Sequence, residues 1–394
     1  GILVGGVGTA FSYLLSKAAT FRDSHLWMVY LLPVGGLMIV GLYKLMKVDK
    51  DKGTNLVLTS ISGKDELPFK MAPLIFLSTV ISHFFGASVG REGAALQLGG
   101  SLGNTIGESF GFRECDRKIL IMTGMSAAFS ALFGTPAAAA VFAVEVAVIG
   151  TMYIQALLPC VIAAYTASRL PLAIGIKPER LPLGNVPDMS FVLILKLVVL
   201  AGLCGVLAIV FCVVMKKTKI YSEKLIKNPW LRVVAGAAVF IGITALTRST
   251  DYYGTGMNVI ERAVTEGEAV PYAFALKLVL TALMLGVGFK GGEIVPTFFV
   301  GATFGCVIGK LLGISPGLAA AAGMASLFCG VTNCPFAAAI MCFELFGFES
   351  APYILIVTAI SYAVSGYCSL YSGQYCDVSK YSLKMGDTGE NTDN

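Results

Sequence analysis

The chain has 394 residues, of which 56% are hydrophobic and 13% charged, with a formal net charge of +5. A soluble domain carries roughly a quarter charged residues, so this composition excludes one: it holds apolar material for several cores and too little charge to coat them. Lipid must solvate much of the surface, and no basic face with groove-reading or aromatic elements exists for nucleic acid.

The first apolar run opens directly at Gly1, without a charged leader region or cleavage site, and reads as a trimmed start inside a membrane helix, not as a signal peptide. A second run, 25–46, leads into Lys44, Lys47, Lys50 and Lys52. Further apolar runs cover 70–88, 117–133 and 136–172. The run 189–215 leads into Lys216, Lys217, Lys219, Lys224 and Lys227, and others follow at 230–248, 270–289, 296–312, 316–332, 335–346 and 351–371. The positive-inside tendency puts both lysine clusters in the cytoplasm. Several runs fall short of the ~20 residues that cross a bilayer. Gly or Pro breaks them, as at Gly134 to Pro136 and Asn333 to Pro335. Broken segments in lipid would expose unpaired backbone groups, so they must line a protein-buried or wet cavity. That is a transporter or channel pattern, and the 45 glycines suit close helix packing.

Two halves repeat each other. Gly99, Gly103 and Gly107 recur as Gly301, Gly305 and Gly309, and Pro136 with Glu145 recurs as Pro335 with Glu344. Gly53-Thr54-Asn55 has a loose echo in Gly254, Thr255 and Asn258, which reads as only a turn on the outer side. The first lysine cluster follows two long apolar runs and the second follows one, so two cytoplasmic clusters require halves of opposite orientation. The expected fold is an all-α polytopic membrane protein of inverted repeats with broken and tilted helices. Its divisions are 1–172, an inverted 173–385, and a polar tail, 386–394, expected to be disordered.

Glu92, in Gly90-Arg91-Glu92-Gly93, is the residue most in need of a reason, because a carboxylate at membrane depth is costly. An apolar segment follows at once, which places Glu92 at a helix N-terminus, where amide N–H groups favour negative charge. Ionised, the carboxylate takes the place of an anion; protonated, it yields that place, so one side chain gates an anion path and carries a proton. The plainer alternative is a helix-end glutamate paired with Arg91, but that would not call for a glycine on both sides. Glu145 and Glu344 read as helix-end carboxylates bonded to backbone. The ten cysteines form no C-x-x-C pair and read as small apolar residues, and the two histidines, His25 and His83, offer no metal or cofactor site.

Gly90-Arg91-Glu92-Gly93 followed by Leu96-Gln97-Leu98-Gly99-Gly100 resembles the signature of the CLC family of chloride channels and anion/proton antiporters. Gly288-Phe289-Lys290-Gly291-Gly292-Glu293-Ile294-Val295-Pro296 resembles that family's second anion-binding loop, and Gly53-Thr54-Asn55-Leu56 its first, in degenerate form. The resemblance implies a CLC-type fold, a homodimer with one pathway per subunit and a bacterial cell-membrane location. It makes Glu92 the gate. It also assigns anion binding to Thr54, Asn55, Gly90, Arg91, Gly93, Glu293, Ile294, Val295 and a tyrosine hydroxyl near the chain's end. Tyr371 fits that context, and Tyr375 competes on an ungapped count from Pro335.

The departures from the chloride pattern carry the specificity. Ala94 follows Gly93 where a proline is usual, acidic Glu293 intrudes in the second loop, and Val146 stands where chloride antiporters carry an internal proton-transfer glutamate. This combination resembles the bacterial fluoride-exporting branch, although Val295 stands where some of its members have threonine. Glu293 repels an anion when ionised and becomes a donor to it when protonated; its bland alternative is a loop residue paired with Lys290. The expectation is a fluoride/proton antiporter, with a chloride/proton antiporter or chloride channel as the rival on the same scaffold. A membrane enzyme would need a nucleophile with a base, or a metal cluster, and the isolated histidines supply neither.

Overall fold

The computed structural model describes residues 1–48, 52–184, 186–376 and 379–381. Lys50 and the polar tail 386–394 lie outside the described residues. The helices fall into two successive series. The first is α1 (Ile2–Ser24), α2 (Leu32–Leu45), α3 (Thr54–Ile61), α4 (Met71–Phe84), α5 (Glu92–Ser109), α6 (Glu114–Phe133), α7 (Pro136–Glu145) and α8 (Leu157–Ala173). The second is α9 (Phe191–Leu225), α10 (Pro229–Thr247), α11 (Met257–Glu261), α12 (Ala273–Val287), α13 (Ile294–Leu312), α14 (Pro316–Thr332), α15 (Pro335–Phe346) and α16 (Ala351–Val364). Two short strands, β1 (Val148–Ile149) and β2 (Tyr375–Cys376), pair in parallel and tie the end of the chain to the loop after α7.

Length and burial divide the helices by role. Among the described residues, six apolar helical segments are long enough to cross a membrane, including α1, α9, α10 and α13, whereas α4, α7, α12, α14 and α15 are apolar but shorter. Lipid takes the outer faces: Leu246 is 85% exposed and Leu311 78%, which water would penalise and hydrocarbon does not. The short helices α7, α14 and α15 start on proline, which loses no hydrogen bond at a first turn. α6 stops at Gly134 and α14 at Asn333, both left-handed.

Small residues let matched helices of the two halves touch backbone to backbone. A methyl group at Gly99 would collide with the Gly124 carbonyl, and one at Gly103 with that of Leu120, which holds α5 on α6. In the second half, methyls at Gly301 and Gly305 would collide with the carbonyls of Gly323 and Ala319, which holds α13 on α14 in the same way. The opposite orientation of the halves is visible where α2 ends and α10 begins. The Lys44 ammonium, at the end of α2, lies 5.4 Å from the centre of the Trp230 ring, at the start of α10. The two lysine clusters therefore share one membrane face, and α2 runs against α10, its counterpart in the order of elements. One expectation needs correcting: the echo at Gly254 is more than a turn, because Gly256 opens the short helix α11 at the place α3 holds in the first half.

Candidate functional site

The loops ahead of α5 and α13 meet in the interior. Gly90 and Gly292 exchange two backbone hydrogen bonds of 2.7 and 2.8 Å, one glycine from each half. Only glycine permits this approach: a Cβ on Gly292 would stand 2.5 Å from the amide nitrogen of Gly93 and 3.1 Å from that of Glu92. A Cβ on Gly93 would stand 3.1 Å from Thr54 Oγ1 and 3.3 Å from Glu293 Oε2. Thr54 begins α3, Glu92 begins α5 and Glu293 immediately precedes α13. No N-cap side chain bonds to any of these three helices, so their first-turn amides and positive dipole ends point into one small region. Ile294 and Val295 lie buried in the first turn of α13, and their backbone forms part of that terminus. Three helix N-termini, a hydroxyl and two carboxyls thus meet in one region, and helix N-termini favour negative charge.

Glu92 is fully buried and folds back on its own terminus. Oε2 accepts from the Arg91 amide at 3.0 Å and Oε1 from Arg91 Nε at 3.3 Å. The pairing with Arg91 is therefore real, yet the guanidinium is shared: its Nη2 donates to Glu179 at 2.9 Å. Glu179 lies on the connection between the two series and was invisible to the motif reading, because nothing local announces a partner 88 residues away. Arg91 thus holds the carboxylate without neutralising it alone. The Lys290 ammonium lies 4.6 Å from the centre of the Tyr43 ring.

Tyr371 is buried, at 2% exposure, on the loop that follows α16, and its hydroxyl has no hydrogen-bond partner among the described residues. Its electrostatic neighbours include Glu293 and Glu92. Tyr375, the competitor, is 39% exposed and pairs with Val148 in the small sheet. The Asn55 Oδ1 accepts from the Gly373 amide at 2.8 Å and holds the Tyr371 loop against α3. Gln97 is the residue the motif reading quoted without a role. One turn along α5 from Gly93, it directs Nε2 toward Thr54 Oγ1 and the Gly93 carbonyl at 3.5 and 3.4 Å, and its Oε1 is buried without a partner. Its spacing of four from Gly93 was the available signal.

Glu145 and Glu344 lie elsewhere and form reciprocal caps. Glu145, ending α7, accepts from the amides of Phe336 and Ala337 at the start of α15, at 3.1 and 2.7 Å. Glu344, on α15, accepts from Ala137 and Ala138 at the start of α7, at 3.2 and 2.8 Å. Both carboxylates do backbone work, as their matched spacing implied. Beside them, the Val146 carbonyl accepts from the Gln374 amide at 2.7 Å. His83 is only half engaged: Nδ1 bonds the Thr79 carbonyl at 2.9 Å, whereas Nε2 is buried without a partner. Fully buried Lys277 donates to the Gly254 carbonyl at 2.7 Å and lies 5.2 Å from the Phe299 ring centre.

Comparison with known proteins agrees with this geometry. A family model described as voltage gated chloride channel matches residues 35–366. A protein named chloride/fluoride channel protein from Pseudomonas syringae pv. tomato is 36% identical over 387 residues, covering 96% of this chain and 85% of its own. A voltage-gated ClC-type chloride channel ClcB from Salmonella typhimurium is 26% identical, covering 73% of this chain and 71% of its own. The crystal structure of a CLC-type fluoride/proton antiporter superposes with a TM-score of 0.91 at 34% identity, covering 95% of each chain. A slow cyanobacterial chloride/proton antiporter superposes at 0.80 with 18% identity over 92% of this chain and 91% of its own, which supports the fold alone. With its inverted halves, its meeting helix termini and these matches, the chain belongs to the CLC family of voltage gated chloride channels and related transporters.

Proposed function

We propose that the protein exports fluoride in exchange for protons. The observation that carries this is Glu293, whose carboxyl oxygen approaches the same point beside Gly93 as the Thr54 hydroxyl, at the foot of the Glu92 helix. An ionised second carboxylate there would repel any anion. Protonated, it is one more close donor, and a small, strongly hydrated anion such as fluoride needs several close donors to replace its water. The helix termini supply backbone N–H groups, and Thr54 and Tyr371 add hydroxyls. The 34% identity to a protein described as a fluoride/proton antiporter supports the same choice.

In this cycle, ionised Glu92 occupies the α5 terminus in the anion's place. A proton arriving from outside neutralises it, the carboxyl leaves, and fluoride takes the position and passes outward. Release of the proton inward returns the carboxylate. The proton gradient thus drives fluoride out. We further propose a homodimer in a bacterial cell membrane, each subunit carrying one pathway between halves 1–172 and 173–385. Chloride is the rival cargo, since the Pseudomonas relative's name includes both ions.

Liposomes loaded with fluoride or chloride decide between them. Fluoride efflux should bring protons in, and Glu92→Gln should abolish that coupling. Equal or faster chloride exchange would refute the fluoride assignment, and undiminished coupling in Glu92→Gln would refute the gate.

A further inference from the structure

Tyr371 presents a physical problem. Its hydroxyl belongs to the proposed anion site, yet it stands on a loop and not on a helix, and the hydroxyl itself is tied to nothing among the described residues. A donor meant for a small ion must be held within a fraction of an ångström, so the backbone of the loop has to be fixed by other groups. Its hydrogen bonds identify them. The Tyr371 amide donates to Ser369 Oγ at 3.0 Å, and the Tyr371 carbonyl accepts from the Gln374 amide at 3.1 Å. Ser369 Oγ in turn donates to Gln374 Oε1 at 2.5 Å.

The Gln374 side chain anchors this small ring to the rest of the fold. Its Nε2 donates to the carbonyls of Val146, just past α7, and of Thr332, at the end of α14, both at 2.7 Å. Both amide hydrogens and the amide oxygen are therefore used, and one side chain spans a helix end from each half of the protein. That is the satisfaction pattern of an ordered support, since a half-paired buried amide would be costly.

We propose that Gln374 is a positioning residue that sets the Tyr371 hydroxyl in the anion site through Ser369. This rests on the assignment of Tyr371 to that site. Removing the amide leaves the loop held by Asn55 and the Val331 carbonyl, so the hydroxyl is less well pre-placed and the ion pays for ordering it.

The test is a double-mutant cycle in reconstituted liposomes, with fluoride as the probe and the full chain as the protein. Tyr371→Phe and Gln374→Leu should each raise the fluoride KM about tenfold, which is about 1.4 kcal/mol, while maximal flux changes less. The double variant should be no worse than either single one, because an absent hydroxyl cannot be misplaced. Ser369→Ala should reproduce the effect with the Gln374 anchors intact, which keeps the proposal testable if Gln374→Leu folds poorly. Losses that multiply in the double variant would overturn the positioning role, as would an unchanged KM in both Gln374→Leu and Ser369→Ala beside a raised KM in Tyr371→Phe. An unchanged KM in Tyr371→Phe would instead remove Tyr371 from the site, and the proposal with it.

Discussion

Replacing Glu145 by leucine should destabilise the protein without touching the gate. The substitution keeps the bulk and removes both acceptors from the amides of Phe336 and Ala337, leaving the Ala337 amide unpaired in the interior and that of half-exposed Phe336 unpaired nearer the surface. An unsatisfied buried donor costs about 1–3 kcal/mol, so the loss should be about 1–3 kcal/mol from Ala337, with a smaller addition from Phe336. Glu145→Gln retains one acceptor and loses the charge that complements the α15 dipole, and should fall at the lower end of that range. Glu344→Leu strips the amides of Ala137 and Ala138, but Glu344 is only partly buried, so water substitutes and the loss should be smaller. The caps act at opposite ends of α7, nine residues and about 14 Å apart, so the two losses should add. Unfolding of the purified protein in detergent, followed by helical signal against denaturant or temperature, measures each loss, and liposome exchange should show fluoride/proton coupling preserved in Glu145→Gln. A Glu145→Leu protein as stable as the parent would refute the cap, and a costlier Glu344→Leu would refute the burial argument.

Three further outcomes are expected. Glu293→Ala should lower the preference for fluoride over chloride in competitive efflux, since it removes the donor that favours the smaller ion; an unchanged ratio would return Glu293 to the status of a loop residue. Gly305→Ala should separate α13 from α14, because the new methyl meets the Ala319 carbonyl; overpacking of this kind costs about 1–3 kcal/mol, read in the same unfolding assay. On the lysine-rich face, the hydrogen bond from Lys52 holds the Asp65 carboxyl below its usual range. This contribution is present above the unfolded value of about 4 and is lost as pH falls through the lower folded value. Asp65→Asn should therefore cost less than about 1 kcal/mol at neutral pH, and the difference from the parent should shrink as pH falls below about 4 and vanish once pH is below the lower folded value.

Much of this protein was legible along the chain because the relevant physics is local. Composition demands lipid, the repeated glycines at four-residue spacing mark the packed faces of α5 and α13, and a carboxylate between glycines at the start of an apolar run marks a buried helix terminus. These features arise within a few turns of one segment. The pairing of Pro136 with Glu145 and of Pro335 with Glu344 likewise foretold helix-end carboxylates bonded to backbone.

Tertiary structure decided which of these pieces meet. Each carboxylate caps the other half's helix across 191 to 207 residues, and no local pattern encodes that exchange. Which of Tyr371 and Tyr375 is buried depended on how an irregular loop folds, where neither periodicity nor capping sets a register, and that loop is held by Asn55, 318 residues from its partner Gly373. Sequence by itself determined the membrane class, the inverted repeat and the buried carboxylate that starts α5, because burial cost and helix geometry act residue by residue. Folding alone brought Gly90 against Gly292 and Glu293 beside Thr54, because a site shared by two halves exists only when both are packed.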